Sequence, residues 1–193
     1  EYPGGYQLGL FPPSIIQEQG PVAVASNPAI MQLHWPYPAK LLQLPKAPVR
    51  DIPDYDEKLR AIAEAYLDHD VWALTGTTCW YSVLFDQLLA AAKRRGMNAQ
   101  HIQDIWPNLR VLFAGGVPAE PYRPLIEGRV GRPLAILENY SATEGGFFAT
   151  ADSRTHSSML MIPDRGVFFE LVPRDGRRVP LWEVEPGVEY SVL

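Results

Sequence analysis

Three short segments, rich in glycine or polar residues, are the candidates for binding a ligand. Each directly follows a short apolar run: Gly76-Thr77-Thr78, Gly115-Gly116-Val117, and residues 140–146. If these runs are neighbouring parallel strands, the segments meet at the strands' carboxyl ends, where open parallel sheets bind ligands. Glycine there lets the backbone approach a ligand that a side chain would keep away. The alternative is that the glycines only form turns.

The third segment carries the side chains with the most chemical potential. Tyr140 offers a flat ring that can stack on a base or an acyl group, and Thr143 offers a hydroxyl for a phosphate or carboxylate. Glu144 adds a carboxylate of the kind that binds Mg²⁺. The trio favours a nucleotide with its metal ion. Because Tyr, Thr and Glu are common residues, a structural loop and a binding loop both stay open at this point.

Composition and missing motifs exclude several other classes of function. A net charge of −5 over 193 residues disfavours a phosphate-tracking surface, so we expect no nucleic-acid partner. We expect no membrane partner either, because no apolar run approaches the roughly 18 residues of a bilayer span. P-loop, dinucleotide-binding, serine-hydrolase and zinc-protease signatures are absent. The single cysteine, Cys79, and the lack of a signal peptide predict a cytoplasmic protein.

The middle of the chain has the periodicity of alternating helices and strands. Asp54 and Glu57 are spaced as in a capping box, and apolar residues then recur at helical spacing. The pattern predicts helices over residues 54–69, 78–95 and 122–130, with buried strands over 71–75, 109–114 and 134–139. This order is βαβαβ, which implies parallel strands. We therefore predict an α/β core over residues 54–149 with flanking helices.

The segments on either side of this core have a different character. Residues 1–53 contain 10 of the 19 prolines and predict extended, apolar chain packed against something hydrophobic. Residues 150–193 predict antiparallel hairpins, with strands 159–162 and 167–172 joined by a turn at 163–166 and a second turn at 174–176. The sequence begins without methionine. Its last residues, 188–193, predict a strand whose backbone hydrogen-bonding groups have no predicted partner. We therefore expect residues 1–193 to be one incomplete domain that contacts missing parts of its own parent chain.

An ordered series of motifs resembles the auxin-responsive Gretchen Hagen family of acyl acid amido synthetases, a branch of the adenylate-forming superfamily. The resemblance runs from Asp51 to Leu193. Its members, in chain order, are Ile52-Pro53-Asp54, Thr75-Gly76, Trp80, Ile105-Trp106-Pro107-Asn108-Leu109, Gly115-Gly116-Val117, Pro121-Tyr122-Arg123-Pro124, residues 139–148, residues 166–170 and residues 179–184. On this resemblance the chain is the central part of the family's large amino-terminal domain.

The resemblance implies specific roles for the residues that match the family's Tyr-x-Ser-Ser-Glu-Gly stretch. That stretch falls on Tyr140-Ser141-Ala142-Thr143-Glu144-Gly145. It implies adenine stacking by Tyr140, nucleotide contact by Ser141 and Thr143, and Mg²⁺ binding by Glu144, with Thr143 and Glu144 as the catalytic pair. The positions implied to line the adenine are Gly115, Gly116 and Val117. Those implied to face the acyl acid are Thr77, Trp80, Tyr81 and Phe148.

The reaction implied is attack of a carboxylate on the α-phosphate of ATP, followed by capture of the acyl group by an amine such as an amino acid. Two positions depart from the family pattern: Ala142 stands where serine is frequent, and Thr78 where proline is frequent. The family's phosphate-binding loop, ribose-binding aspartate and mobile carboxyl-terminal domain have no counterpart in this sequence, so we expect the chain alone to be inactive. The alternative is a non-catalytic ligand-binding or interaction module of the same fold, which Ala142 and the missing loop favour.

Overall fold

The computed structural model describes residues 4–11, 17–142, 146–152, 158–174 and 176–193. The chain divides into two compact units, residues 1–139 and residues 140–193. Its strands are β1 Tyr6–Gly9, β2 Gln17–Gln19, β3 Val22–Val24, β4 Gln43–Leu44, β5 Val71–Gly76, β6 Val111–Gly115, β7 Ala135–Ala142, β8 Gly146–Ala151, β9 Met159–Met161, β10 Glu170–Pro173, β11 Val179–Pro180 and β12 Tyr190–Val192. Its α-helices are α1 Asn27–Leu33, α2 Tyr37–Leu42, α3 Tyr55–Tyr66, α4 Thr78–Arg94, α5 Ile102–Ile105 and α6 Arg123–Val130.

A parallel sheet forms the centre of the first unit. Its strand order is β4-β1-β5-β6-β7, and each neighbouring pair is parallel. The predicted βαβαβ core is confirmed: β5, β6 and β7 are adjacent, with Ala73 opposite Val111 and Leu112 opposite Ile136. Strand β7 continues to Ala142, three residues past its predicted end.

The helices of the core begin and end for local reasons that the sequence displays. Asp54 caps α3, because its carboxylate accepts a hydrogen bond of 2.7 Å from the Glu57 amide. Helix α4 ends shortly before Gly96. The φ of Gly96 is +73°, the left-handed conformation that often follows the end of a helix. Thr77 occupies the N-cap position of α4, but its side chain makes no capping hydrogen bond.

Residues 1–53, predicted to be extended, apolar chain, contain the helices α1 and α2 as well as the strands β1 to β4. Strand β1 lies between β4 and β5 in the parallel sheet, and Leu8, Leu10 and Leu44 are buried in the chain's own core. The apolar character of this segment thus reflects burial within the first unit. A four-residue and a two-residue strand are too short to show a period, and β1 pairs with residues more than 60 positions away.

The second unit is antiparallel, as predicted, but one of its pairings differs from the prediction. Strand β9 pairs with β8, while β10 pairs with β11 and with β12. The expected hairpin between residues 159–162 and 167–172 therefore does not form, because the hydrogen bonds of β9 go to the strand before it. The last strand, expected to be unpaired, completes the sheet: the Leu193 amide donates to the Glu170 carbonyl at 2.9 Å.

No helix within the described part of the chain combines the length and apolar character needed to cross a bilayer.

Candidate functional site

The carboxyl ends of β5 and β6 bring two of the three candidate segments together. Gly76, the last residue of β5, lies opposite Ala114 in β6. Thr77 follows Gly76, and its hydroxyl oxygen lies 3.3 Å from the position that a Cβ on Gly116 would occupy. Because Gly116 has a φ of +87° and is exposed, its backbone is open to close approach by another molecule. Thr77 and the Gly116 turn therefore form one continuous surface.

Two polar residues of β7 hold the turn after β6 in place. The Glu138 carboxylate accepts a hydrogen bond of 2.8 Å from the Ala119 amide, and the Asn139 side-chain amide donates to the Ala114 carbonyl at 2.8 Å. A Cβ on Gly115 would lie 3.0 Å from the Asn139 side-chain oxygen. Gly115 thus makes room for Asn139, whereas Gly116 supplies the unusual backbone angle. Sequence reasoning missed the anchoring role of Glu138, although two successive polar residues ending an apolar strand are a visible signal.

Tyr81, one of the residues expected to face an acyl acid, lies in the protein core. Tyr81 is fully buried, and its hydroxyl accepts from the Thr75 amide at 3.0 Å and lies within 3.0 Å of the carbonyls of Leu8 and Thr75. Burial raises the pKa of this hydroxyl. Its polar contacts join β1 to the end of β5, so it holds the strand ends that carry Thr77.

Trp80 is partly buried and meets an aromatic neighbour that sequence reasoning missed. The Trp80 and Tyr55 rings make an edge contact with centroids 5.4 Å apart. The Tyr55 hydroxyl is buried without a hydrogen-bond partner among the described residues, and burial raises its pKa. A buried hydroxyl without a partner suits a polar group of a bound molecule. No spacing rule connects residue 55 to residue 80, so only the packing of α3 against α4 reveals the pair.

The second unit contains a cluster of three aromatic rings that includes two predicted site residues. Tyr140 is 52% exposed, and its ring centroid lies 5.5 Å from that of Phe148. Phe148 in turn packs edge-on against Phe169, at 5.8 Å. Tyr140 is thereby supported on one side and open on another, which suits stacking on a flat ligand.

The other predicted site residues are Val117, Ser141, Thr143 and Glu144. Val117 is half-buried in the turn after β6, and Ser141 is exposed near the end of β7. Thr143 and Glu144 lie outside the described residues. Among the residues that are described, no group of three histidine, cysteine, aspartate or glutamate side chains could hold a metal ion.

Comparison with known proteins finds similarity of structure and none of sequence. No family model matches the sequence, and no curated protein matches it. The structure is similar to that of GH3.15 acyl acid amido synthetase, with a TM-score of 0.69 and 14% identity. That match covers 97% of this chain and 41% of the other. A 2-hydroxyisobutyryl-CoA ligase in complex with an adenylate also matches, with a TM-score of 0.49, 17% identity and coverage of 93% of this chain and 34% of the other.

At 14% identity the first match establishes the fold and nothing finer. The chain has the fold of part of an acyl acid amido synthetase: a mostly parallel α/β sheet followed by a separate antiparallel sheet. The predicted fold class is therefore confirmed. The chain spans less than half the length of that structure.

Proposed function

We propose that this chain belongs to an ATP-dependent ligase that activates a carboxylic acid as its acyl adenylate and transfers the acyl group to an amine, such as an amino acid. The observation that carries the proposal is the likeness in fold of almost the whole chain to an acyl acid amido synthetase. The fixed, exposed glycine turn beside Thr77 supports it, because it stands at the carboxyl end of the parallel strands.

In this proposal every predicted site residue except Tyr81 keeps a ligand-binding role. In the first unit we assign the turn at Gly115, Gly116 and Val117 to adenine binding, and in the second unit we assign the open face of Tyr140 to stacking on a base. Ser141 and Thr143 donate hydroxyl hydrogens to the nucleotide. Glu144 would hold Mg²⁺, which would offset the charge of the phosphates. This magnesium assignment rests on the resemblance alone.

In the first unit we assign Thr77 and Trp80 to acyl-acid binding, with Tyr55 as an addition, and in the second unit we assign Phe148 to the same role. Tyr55 is added because its ring packs on that of Trp80 and its hydroxyl has no hydrogen-bond partner among the described residues. We assign Tyr81 a positioning role in place of ligand contact, because it is fully buried and its hydroxyl bonds to the backbone of two strands.

In the first half-reaction a carboxylate oxygen attacks the α-phosphorus of ATP, and the bond from phosphorus to the pyrophosphate oxygen breaks. In the second half-reaction an amine nitrogen attacks the acyl carbon. The bond from that carbon to the bridging oxygen breaks, and AMP leaves with this oxygen. The protein's contribution is to align the carboxylate with phosphorus and to present fixed donors where charge develops. Because the chain spans 41% of the compared structure, we propose that further site residues lie elsewhere in a longer protein and that this portion alone is inactive.

The proposal is tested by acid-dependent exchange of pyrophosphate into ATP, measured on the full natural chain that carries this sequence. A panel of carboxylic acids should include at least one that supports exchange. Replacing Glu144→Ala is expected to lower the exchange rate by about 100-fold or more, as for other groups that stabilise transition-state charge.

The control is Glu185→Ala, which removes an exposed carboxylate of the second unit and should leave the exchange rate unchanged. If no acid supports exchange, the protein is a non-catalytic binding module and the proposed function is wrong. Exchange in Glu144→Ala within a few-fold of the unaltered protein would contradict the magnesium assignment alone.

A further inference from the structure

A cavity at the opposite edge of the parallel sheet has the composition of a binding site. It has a volume of about 150 Å³ and lies beside β4. Its lining includes Gln32, Trp35, Lys40, Gln43, Lys46 and Arg50. In the sheet, β4 is separated from β6 by β1 and β5, so the cavity is distinct from the glycine turn after β6. A cavity of this volume can hold a molecule of about six heavy atoms.

Two side-chain amides in the lining are buried with one polar atom each left unpaired. Gln32 is 9% exposed and Gln43 is 8% exposed. The Gln32 side-chain nitrogen and the Gln43 side-chain oxygen have no hydrogen-bond partner among the described residues. The Gln43 nitrogen already donates to the Leu44 carbonyl at 2.7 Å. The two residues of this lining thus leave one donor and one acceptor without a partner among the described residues, which calls for a ligand that supplies both partners.

The charge of the lining shows what kind of ligand this is. Lys40, Lys46 and Arg50 bring three positive charges, and the Arg50 guanidinium makes a two-point contact with Asp51, at 3.0 and 2.9 Å. The described lining of the cavity contains no acidic side chain beside these cations. The Lys46 ammonium donates to the carbonyls of Lys40 and Leu41, at 2.5 and 2.8 Å, so it is held in place at the end of α2. Burial lowers its pKa, and a nearby anion would offset that effect.

We propose that this cavity binds a small oxyanion, a carboxylate or a phosphate, that also carries a hydroxyl or amino hydrogen. The oxyanion accepts from the Gln32 amide and the cationic side chains. The hydroxyl or amino hydrogen is donated to the Gln43 oxygen, and the aliphatic part of the molecule lies beside Trp35. The proposal does not depend on the ligase activity.

The test uses chemical-shift titration of the 193-residue chain with three probes: glycolate, acetate and inorganic phosphate. Glycolate is expected to bind saturably, and acetate about tenfold more weakly, because acetate leaves the Gln43 oxygen unpaired. If phosphate binds more tightly than glycolate the natural ligand is a phosphate, and the reverse order indicates a hydroxy or amino acid; both results support the site. If none of the three binds saturably, or if acetate equals glycolate, the proposal is wrong.

Three variants separate a binding role from a structural one. Gln32→Met should weaken glycolate binding by about tenfold while the thermal midpoint stays unchanged or rises, because an unpaired buried amide is replaced by an apolar group of similar shape. Arg50→Gln should weaken binding at least as much, with Lys40→Met as the substitute if that variant does not fold. The control is Arg94→Gln, a cation that pairs with Glu64 at 2.5 Å. Unchanged binding in Gln32→Met, or equal losses in Arg50→Gln and Arg94→Gln, would overturn the proposal.

Discussion

The two compact units of this chain differ in where their apolar side chains lie. The first unit encloses a continuous core that includes Trp106, Tyr81 and Phe85, all fully buried. Among the described residues of the second unit, the buried apolar side chains are Ala149, Phe169 and Leu171. Large apolar groups such as Phe168 and Trp182 are 67% and 75% exposed there. The largest aromatic side chains of the first unit's core are thus buried by its sheet and helices, whereas large aromatic side chains of the second unit lie mostly at its surface.

The contrast also separates two kinds of candidate site residue. In the first unit the glycine turn is held by side-chain hydrogen bonds from Glu138 and Asn139, and it rests on a buried sheet. In the second unit Tyr140 is supported by other aromatic rings and remains half exposed. We infer that substitutions in the buried core of the first unit act mainly through the fold, and that those at Tyr140 act mainly through binding.

The largest effect should come from a matched pair of tryptophan substitutions. Trp106 is fully buried and its indole nitrogen donates to the Tyr66 carbonyl at 3.2 Å, whereas Trp182 is 75% exposed. Trp106→Ala should lower the free energy of unfolding by about 3–5 kcal/mol because it leaves a large cavity. Trp182→Ala should change it by about 0.5 kcal/mol or less. Urea unfolding of both variants tests this, and similar losses in the two would remove the contrast between the units.

A smaller difference is expected between two tyrosine hydroxyls. Tyr81→Phe removes a buried hydroxyl that bonds to the backbone of β1 and β5, and it leaves the Thr75 amide without that partner. The expected loss is about 1–3 kcal/mol of unfolding free energy. Tyr190→Phe removes a hydroxyl that accepts from the Glu185 amide at 3.1 Å in exposed surroundings. Water can replace that bond, so a loss of about 0.5 kcal/mol or less should appear in the same unfolding measurement; equal losses would contradict a structural role for Tyr81.

The third comparison is between alanine substitutions at two glycines, for which we expect the smallest difference in stability and the clearest difference in activity. Gly116 and Gly187 have φ angles of +87° and +84°, so alanine at either should cost about 1–2 kcal/mol of unfolding free energy. A Cβ at Gly187 meets nothing within 4 Å, whereas one at Gly116 approaches the Thr77 hydroxyl. Only Gly116→Ala should also slow pyrophosphate exchange in the full natural chain, by roughly 10-fold to 100-fold. Equal exchange rates in the two variants would mean that the turn has no part in the reaction.

Sequence reasoning succeeded where structure is determined locally. Helix α3 begins after the Asp54 cap, α4 ends before Gly96, and the apolar runs of β5 and β6 are bounded by glycine. Each of these features depends on residues within a few positions of one another, so it can be read from one stretch of chain.

Two pairings were missed or wrong, one between segments distant in sequence and one between neighbouring strands. Strand β1 gains its place only by pairing with β4 and β5, and β9 pairs with the strand before it although a turn sequence follows at residues 163–166. The same limit applies to the sites. The glycine turns were predicted from their positions after apolar runs, but the approach of Thr77 to Gly116 and the cationic cavity beside β4 exist only after folding.

The proposed activity is tested most directly by following oxygen from a carboxylic acid labelled with ¹⁸O through one turnover of the full natural chain with ATP and an amine. Attack on the α-phosphorus requires that AMP be released carrying one labelled oxygen from the acid, and that amide form in equal amount. Mass spectrometry of the nucleotide products measures this. Release of ADP with the label in inorganic phosphate, or acid-independent turnover without label in AMP, would contradict the account.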